Sequence, residues 1–569
     1  MTTERYRLGD LVVDGAAGAA MRDGRRLDLP PLSFALLLAL VRRAPEVARR
    51  RDLADEVWQG AVVNDETLSQ RVRLLREALG DTAEAPRYVE SVRGWGYRAA
   101  RPVERFGAGE RELTTVAVLP FANLGGDSAD DPLCEGLAEE IISALAAVDG
   151  LRVIARTSSF AVSRMALDVG QVGERLGAGS VLEGSVRRSG QRVRVTVQLV
   201  ETAHGGHLWS ERYDREPSDV LELEDEIAAG VASRLRSGLA GRDLSRRRPT
   251  VNPAARQAYL EGRYHFARAT SEALARAAQC YQEAIALDPS FARAFDALAE
   301  LHWFLGFYGG ARPREAFGQS TWHALRALEL DEGLAETHAL LGMLRKELDY
   351  DWPEVERELA RARELSPTSA DVLLRYAISG LLPHGRLEEA LAVVEAVVPT
   401  DPLSPFVRWW CGAMAYLARS SEHAADEGRF ILRLDPNHFL GHWLVGMALE
   451  QVGDFEAAAR EMERAIELSG GTPFTLGFAM VPIGRAGHGE RVRGILRELA
   501  AAASTRYVPP SAFAFGHVGL GERDEALRFL DEAIDERDPL VMPIKSYSFL
   551  DPIRDDPRYR RLLGKMNLL

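Results

Sequence analysis

Arginine and amide side chains recur on one face of a predicted helix over residues 66–79. Its apolar residues repeat at helical spacing and predict one buried stripe, formed by Leu68, Val72, Leu75 and Leu79. At about 100° per residue, the opposite face and its flanks carry Thr67, Gln70, Arg71, Arg73, Leu74 and Glu77. Glutamine and arginine can donate hydrogen bonds to base edges in the major groove of DNA. For an isolated helix, the alternative is an ordinary solvated charged face.

A basic hairpin is predicted directly after this helix, at residues 87–99 (RYVESVRGWGYRA). Its tip is the segment Arg93-Gly94-Trp95-Gly96, where glycines favour a tight turn. A basic hairpin beside an arginine-bearing helix favours DNA binding over the solvated-face alternative.

The segments upstream must position the helix and the hairpin. Residues 5–13 and 18–29 are predicted to be short strands, the second with a turn at Asp23-Gly24. Residues 32–43 (LSFALLLALVRR) and 51–58 (RDLADEVW) predict two further helices. Gly80 stands where the cap of the third helix is expected.

In this order, roughly residues 4–102 resemble the OmpR/PhoB-type winged helix-turn-helix domain. The matching motifs are Glu56-Val57-Trp58, Leu75-Arg76 and the wing VRGWGYR at residues 92–98. The resemblance implies that the third helix binds in the major groove, and that the wing tip reaches the minor groove or the backbone. The DNA contacts that it implies come from Arg71, Arg73 and Arg76 on the helix, from Ser91, Arg93, Tyr97 and Arg98 in the wing, and from the backbone around Trp58.

Three differences from related regulators bear on function. Leu74 stands where the family usually has an arginine, so the family's base preference cannot be carried over, although leucine can pack on a thymine methyl group. No receiver domain is expected, since nothing precedes Thr2 that could hold one. The ToxR/CadC-like regulators follow this domain with a membrane helix, whereas the corresponding segment RPVERFGAGERELT is polar.

The composition of the chain agrees with a soluble multidomain regulator. The net charge is −14, but residues 1–105 hold 18 arginines against 16 acids and are therefore slightly basic. Cys134, Cys280 and Cys411 show no ligand spacing and are expected to be reduced structural thiols. Without a long apolar run or a signal peptide, the protein is expected to be cytoplasmic and not to bind a membrane.

Residues 114–240 alternate between strands and helices and predict a central α/β domain. The predicted hairpin SVLEGSVRR–QRVRVTVQLVE alternates apolar and polar residues, so one sheet face should be buried. The phrases VAVLPFANL, GLAEEI, VLEGSVRRSGQRVRVTVQLV and LWSERYDR resemble the TolB N-terminal-like domain. That family supplies no catalytic residues to carry over.

No enzyme, cofactor or metal is predicted for this domain. The paired acids Glu139-Glu140 and Asp130-Asp131 are neighbours in the chain and would point about 100° apart on a helix. His204 and His207 lack a third ligand nearby and fit a turn between strands. Gly125-Gly126 is part of no phosphate-binding glycine motif.

Residues 252–569 carry an internal repeat. Short motifs of the form Leu-Asp-Pro recur mostly at a spacing of 34 or 35 residues. The first spacing is 43 residues, which indicates an insertion around 307–315. This period predicts a tetratricopeptide solenoid of about seven or eight helix pairs, joined to the central domain by a linker at 241–251. A second linker, at 104–113, separates the winged-helix domain (1–103) from the central domain. Most aromatic residues of the solenoid, such as Trp303 and Trp443, are expected to be interhelix core.

Taken together, the sequence predicts a multidomain α and α+β protein that regulates transcription by sequence-specific binding to double-stranded DNA. The concave surface of the repeats is expected to bind a protein, such as RNA polymerase or a second copy of the chain, and tandem binding predicts a dimer on DNA. The solenoid could also lock the DNA-binding domain, in which case removal of residues 250–569 would raise DNA affinity. The alternative function is an interaction scaffold in which the winged helix is a docking module.

Overall fold

The chain folds into two compact units, Met1–Glu112 (unit 1) and Leu113–Leu569 (unit 2). The structure is a computed structural model, and it describes residues 5–15, 19–22, 25–27, 29–58, 65–83, 86–92, 94–106, 114–146, 148, 150–165, 167–190, 192–216, 223–235, 252–308 and 311–569. In the helices of this described part, we find none that is both long and apolar enough to span a bilayer.

Unit 1 begins and ends on one antiparallel sheet and holds three helices and a smaller sheet in between. Its elements are β1 (Arg5–Leu8), β2 (Leu11–Asp14), β3 (Ala19–Arg22), β4 (Arg25–Arg26), α1 (Pro31–Arg43), β5 (Ala48–Arg49), α2 (Arg50–Val57), α3 (Asp65–Leu79), β6 (Val89–Val92), β7 (Gly96–Ala99) and β8 (Val103–Phe106). The sheet orders are β4-β3-β2-β1-β8 and β5-β7-β6. The three predicted helices and the hairpin are confirmed.

The strand predicted at residues 5–13 is wrong, because the chain turns back at Gly9 and Asp10. Gly9 has a left-handed φ of +65°, and Leu8 lies directly opposite Leu11 in the β1–β2 register. Three residues apart on one strand, these leucines would face opposite sides of the sheet. The hairpin instead buries both of them completely.

The predicted boundary at residue 103 also falls too early. β8 (Val103–Phe106) pairs with β1 over four residues and completes the N-terminal sheet. A strand that is separated from its partner by about a hundred residues leaves only a weak signal in the local sequence. The first residues of the predicted linker therefore belong to the fold of unit 1.

Unit 2 opens with the sheet region, residues 114–235. Its elements are β9 (Thr115–Val118), β10 (Ala122–Asn123), α4 (Asp131–Ala146), β11 (Arg152–Val153), α5 (Arg156–Ser163), α6 (Val169–Leu176), β12 (Ser180–Ser189), β13 (Arg192–Glu201), β14 (His207–Arg215) and α7 (Leu223–Leu235). The sheet order is β11-β9-β12-β13-β14, and β10 also pairs with β12. As predicted, the alternate residues Val193, Val195, Val197 and Leu199 of β13 are fully buried.

The repeat region, residues 252–569, is built from eight consecutive helix pairs and a C-terminal cap. The helices are α8 (Pro253–Phe266), α9 (Ser271–Leu287), α10 (Ala292–Phe307), α11 (Pro313–Leu330), α12 (Ala335–Asp349), α13 (Trp352–Leu365), α14 (Ala370–Tyr376), α15 (Leu387–Val397), α16 (Pro405–Leu417), α17 (Ser421–Leu434), α18 (Phe439–Gln451), α19 (Phe455–Ser469), α20 (Pro473–Arg485), α21 (Gly489–Ala502), α22 (Pro510–Gly519), α23 (Arg523–Asp535) and α24 (Pro557–Lys565). The all-α solenoid prediction is confirmed. Trp303, Trp409, Trp410 and Trp443 are buried, whereas Trp322 is exposed.

The sheet region and the repeat region share a core, although they were predicted from the sequence to be separate domains. One buried cluster contains Leu137 of α4 together with Tyr259, Leu260 and Leu301 of the first repeats. The predicted linker at 241–251 lies outside the described residues. Removing residues 250–569 would take away part of this core, so that truncation cannot test a lock on unit 1 cleanly.

Polar contacts cross the same boundary at three places. Glu139 and Glu140 of α4, which resembled a catalytic pair, form ion pairs with Arg263 and Arg293 respectively. Further along, the backbone N–H of Ser158 donates to the Asp401 carboxylate at 3.0 Å, and the Leu403 N–H donates to the Ser158 hydroxyl at 2.9 Å. These acids therefore have structural partners between the two regions.

Stability of the repeat region should fall as the pH drops, because His302 is held neutral in the fold. Burial, with a smaller effect from the charge of the stacked His323, lowers the pKa of His302 to about 4. Since the unfolded chain takes up this proton near pH 6.5, stability is complete above that pH and is lost as the pH falls towards 4. Allowing for its partial exposure, the loss is about 2 kcal/mol.

Urea unfolding of the full chain at pH 7 and at pH 5 measures this effect. His302→Gln should reduce the difference in unfolding free energy between the two pH values, and His204→Gln, on an exposed turn, should leave it unchanged. A pH dependence identical in His302→Gln and the natural chain would contradict the assignment.

Candidate nucleic-acid interface

Helix α3 packs on unit 1 through one face and leaves the other for solvent. Its predicted stripe is confirmed, since Leu68, Val72, Leu75 and Leu79 are at most 1% exposed. It ends at Gly80, whose φ of +61° is the predicted left-handed cap. Of the predicted contacts, Gln70 and Arg73 are exposed, and Thr67, Arg71 and Leu74 are half-buried at the flanks.

The arginines predicted to bind DNA fall into two groups. Within the described part of the chain, Arg71 and Arg73 have neither an ion pair nor a side-chain hydrogen bond. Arg76 instead donates to the Val89 carbonyl at 2.8 Å and to the Ser91 hydroxyl at 3.0 Å. Arg98 forms a 2.8 Å ion pair with Glu90 along the hairpin. Among the predicted arginines that the structure describes, Arg71 and Arg73 are therefore available to a ligand, whereas Arg76 is bound from α3 to the hairpin and Arg98 is bound within it.

Arg76 joins α3 to the first strand of the wing. Its guanidinium reaches across to β6 and contacts both a backbone carbonyl and a side chain there. A five-donor planar group can hold two acceptors at fixed directions. The predicted contact residues Arg76 and Ser91 thus touch each other, and the contact fixes the wing against α3.

A second link connects the wing to α2 and α3. The Tyr97 ring is buried, and its hydroxyl lies 3.4 Å from that of Ser69. Arg50 donates to the same Ser69 hydroxyl at 3.2 Å and lies over the Tyr97 ring at 5.3 Å. Tyr97 therefore supports the wing from the interior of unit 1.

The tip of the wing depends on two glycines. Gly94 has a left-handed φ of +79°. A Cβ atom at Gly96 would lie 2.0 Å from the Ala48 carbonyl oxygen, so only glycine lets β7 pair with β5 there. Between them Trp95 is 61% exposed, with the Arg49 guanidinium 6.0 Å from its ring centre. The predicted contact Arg93 lies outside the described residues.

Asp81 holds the segment between α3 and the wing. Its buried carboxylate accepts hydrogen bonds from the backbone N–H groups of Arg87, Tyr88 and Val89, at 2.6 to 3.1 Å. Tyr88 in turn donates to Asp10 at 2.6 Å, which ties the same segment to the β1–β2 turn. This donation is the main reason why the pKa of Asp10 lies below its usual value.

Several residues at this surface were not predicted from the sequence. Trp95 was noticed only as part of the wing motif, and Arg49 and Arg50 lie in a short strand and a helix start that the sequence did not resolve. Trp58, which was predicted to lie near the DNA backbone, is half-buried at the end of α2. Its main-chain N–H donates to the Ala54 carbonyl at 3.1 Å. An exposed tryptophan in a glycine-rich turn was the available signal.

Unit 2 brings one thiol close to possible metal ligands. The Cys411 sulfur lies 3.8 Å from His423 Nε2, which is 3.8 Å from a Glu427 oxygen. Glu427 is also bound by Arg408 at 3.2 Å, and burial raises the pKa of the Cys411 thiol to about 12. The His442–Glu461 ion pair of the next repeat corresponds to Arg408–Glu427, because each of its residues lies one repeat period further along the chain. Glu427 thus has a structural role in the solenoid.

Comparison with protein families matches two stretches of the chain. Residues 24–99 match the family described as transcriptional regulatory protein, C terminal. Unit 1 contains that domain. Residues 112–230 match the second domain of HilA/YgeH-like transcriptional regulators, which covers most of the sheet region. The resemblance of this region to the TolB N-terminal domain stays a prediction.

Individual relatives agree with these families. Transcriptional regulator HilA of Salmonella typhimurium is 26% identical over 410 residues, which are 71% of each chain. A candidate adenylate cyclase of Rhizobium meliloti is 34% identical over 233 residues, and the match spans only 40% of the length of each protein. The solved DNA-binding domain of Escherichia coli CadC is 28% identical, with a TM-score of 0.17, and covers 19% of this chain and all of its own.

Proposed function

We propose that the protein is a transcriptional regulator in which unit 1 binds double-stranded DNA in a sequence-specific way. The observation that carries this proposal is that Arg71 and Arg73, on the outer flank of α3 beside a fixed wing, form no ion pair with any described residue. The family match over residues 24–99 supports it, as does the similarity to the transcriptional regulator HilA and the transcriptional activator CadC. Arg71, Arg73, Gln70 and Thr67 would contact bases and phosphates, with Leu74 against a thymine methyl group.

The wing would make the second set of contacts. Trp95 and Arg93 lie at its tip in the sequence, and Ser91 and Arg98 lie on its strands. We expect Arg76 and Tyr97 to act mainly by holding the wing against α3. Winged-helix domains of this family bind direct repeats, which supports assembly of a dimer on DNA.

The repeat region would bind a protein partner. Stacked helix pairs form an extended surface that binds protein segments in other solenoids, and RNA polymerase or a second copy of the chain are the candidates. We do not expect catalysis, because the acidic pairs Glu139-Glu140 and Asp130-Asp131 form structural contacts with Arg263, Arg293, Arg188 and Asn123. The similar regulators HilA and CadC come from bacteria, and a regulator that binds a bacterial chromosome would work in the cytoplasm.

Selection of genomic DNA fragments by residues 1–112, and in parallel by the full chain, tests the proposal. The cut follows the boundary of unit 1, which contains its own core. Enriched fragments that share a motif, with affinity falling steeply as salt rises, would support a promoter-binding regulator. Failure of both proteins to enrich any motif would favour a docking module on a repeat scaffold.

A further inference from the structure

Four arginines are gathered on one exposed face of the sheet region, three on the β12–β13 hairpin and one on the neighbouring strand β14. We call this surface the arginine face; it consists of Arg187, Arg192, Arg194 and Arg212, all exposed. In the sheet register, Arg187 lies opposite Arg194, and Arg212 lies opposite Thr196. Paired residues, and residues two apart on a strand, point to the same side of a sheet. The four side chains therefore lie on one surface, opposite the buried valines of β13.

The charge of the arginine face is only partly neutralised. Asp214 receives hydrogen bonds from Arg194 at 2.8 Å and from Arg192 at 3.1 Å, and these bonds lower the pKa of its carboxyl group. Arg187 and Arg212 form no ion pair with any residue that the structure describes. The nearest acid along the same side of β12 is Glu183, four residue pairs beyond Arg187 and further from the hairpin end. The hairpin end thus keeps a net charge of about three positive units.

Folding alone gives no reason for this arrangement. Like charges directly opposite each other, as at Arg187 and Arg194, destabilise a β-sheet. The cluster also stands out from its surroundings, because the chain beyond residue 105 holds 52 basic against 68 acidic residues. A polyanionic partner would relieve the repulsion.

The neighbouring side chains fit a phosphate backbone. Ser185, Ser189 and Thr196 lie on the same side of the sheet, and small hydroxyl residues let a backbone approach closely. Arginine and hydroxyl donors make most protein contacts to DNA phosphates. Such contacts carry no sequence information.

We propose that the arginine face binds the phosphate backbone of DNA that flanks the site recognised by unit 1. This inference rests on the proposed function, since it assumes that unit 1 brings the chain to DNA. Because both surfaces belong to one chain, binding through unit 1 raises the local concentration of DNA near the arginine face. The second contact adds affinity without changing the recognised sequence.

Binding of the full chain to the selected operator, with short and with long flanking duplex, tests the proposal. The natural chain should bind the long duplex more tightly, whereas residues 1–112 should bind both equally. The double variant Arg187→Glu, Arg212→Glu should lose roughly tenfold in affinity for the long duplex, with the slope of log K against log salt reduced by about two. The double variant Arg361→Glu, Arg429→Glu changes the same charge on the repeat region and should behave like the natural chain.

Three results would overturn the proposal. One is equal affinity of the arginine-face variant and the natural chain for the long duplex. Another is unchanged DNA affinity together with lost binding of RNA polymerase, which would assign the face to an acidic protein surface. If no operator is selected at all, the proposed function fails separately. The full chain and its variants are then compared on a long duplex of arbitrary sequence, where equal affinities would overturn the arginine face as well.

Discussion

Replacement of both Arg71 and Arg73 by alanine should lower the affinity of the full chain for its operator by about a hundredfold. Each side chain is free of protein partners in the described structure and lies at the outer flank of α3. An arginine contact to a base edge contributes about 1–3 kcal/mol, so losing two of them costs about 2–6 kcal/mol, and a hundredfold loss of about 2.8 kcal/mol lies in the lower part of that range. Titration of a labelled duplex at two salt concentrations measures the loss.

Two further variants identify what the arginines contact. Arg71→Lys, Arg73→Lys keeps the charge but removes the planar fork, so base recognition should be lost while the salt dependence remains. Arg87→Ala is the matched control, because Arg87 pairs with Asp10 beside the β1–β2 turn, and it should bind as the natural chain does. Operator affinity unchanged in the folded double alanine variant would contradict α3 as the recognition helix.

Asp81→Ala should destabilise unit 1 by about 3 kcal/mol. The carboxylate accepts hydrogen bonds from three successive backbone N–H groups ahead of the wing, two of them on buried residues. Its removal leaves these donors unsatisfied, and each unsatisfied buried group costs about 1–3 kcal/mol. Because the same segment leads into β6, the wing should also lose its position relative to α3.

Thermal unfolding of residues 1–112 measures the effect. Asp81→Asn retains one acceptor oxygen and should recover part of the lost stability. Glu77→Ala, an exposed substitution on the same helix, should change stability by less than about 0.5 kcal/mol. If Asp81→Ala unfolded at the same temperature as Glu77→Ala, the carboxylate would not be the anchor of this segment.

Helix α3 could be predicted from the local sequence because the spacing of its apolar residues indicates which side is buried. Leu68, Val72, Leu75 and Leu79 fix which side of α3 is buried, and Gly80 fixes where it ends. The hairpin was equally clear, because Gly94 and Gly96 mark its turn. What local sequence could not show is that Arg76 is bound to β6 while Arg71 and Arg73 are not. That difference depends on how closely the wing packs on the helix.

In unit 2 the repeat period predicted the solenoid, since each helix pair contacts mainly its neighbours in the sequence. The interface between the sheet region and the repeat region has no such signal in the local sequence. Ser158 and Asp401 meet across 243 residues, and Tyr259 joins a core formed largely by the sheet region. Glu139 and Glu140 could be judged in sequence only as a possible acid pair, and their arginine partners lie in the repeats.

The sequence by itself determined the winged-helix domain and the solenoid, because hydrophobic periodicity and turn glycines act over a few residues. Only the tertiary structure decided which cations remain available to a ligand. It closed the N-terminal sheet with β8, paired Arg98 with Glu90, and placed Arg187 opposite Arg194. These outcomes depend on which distant segments come into contact, and the spacing of residues along the chain does not encode that directly.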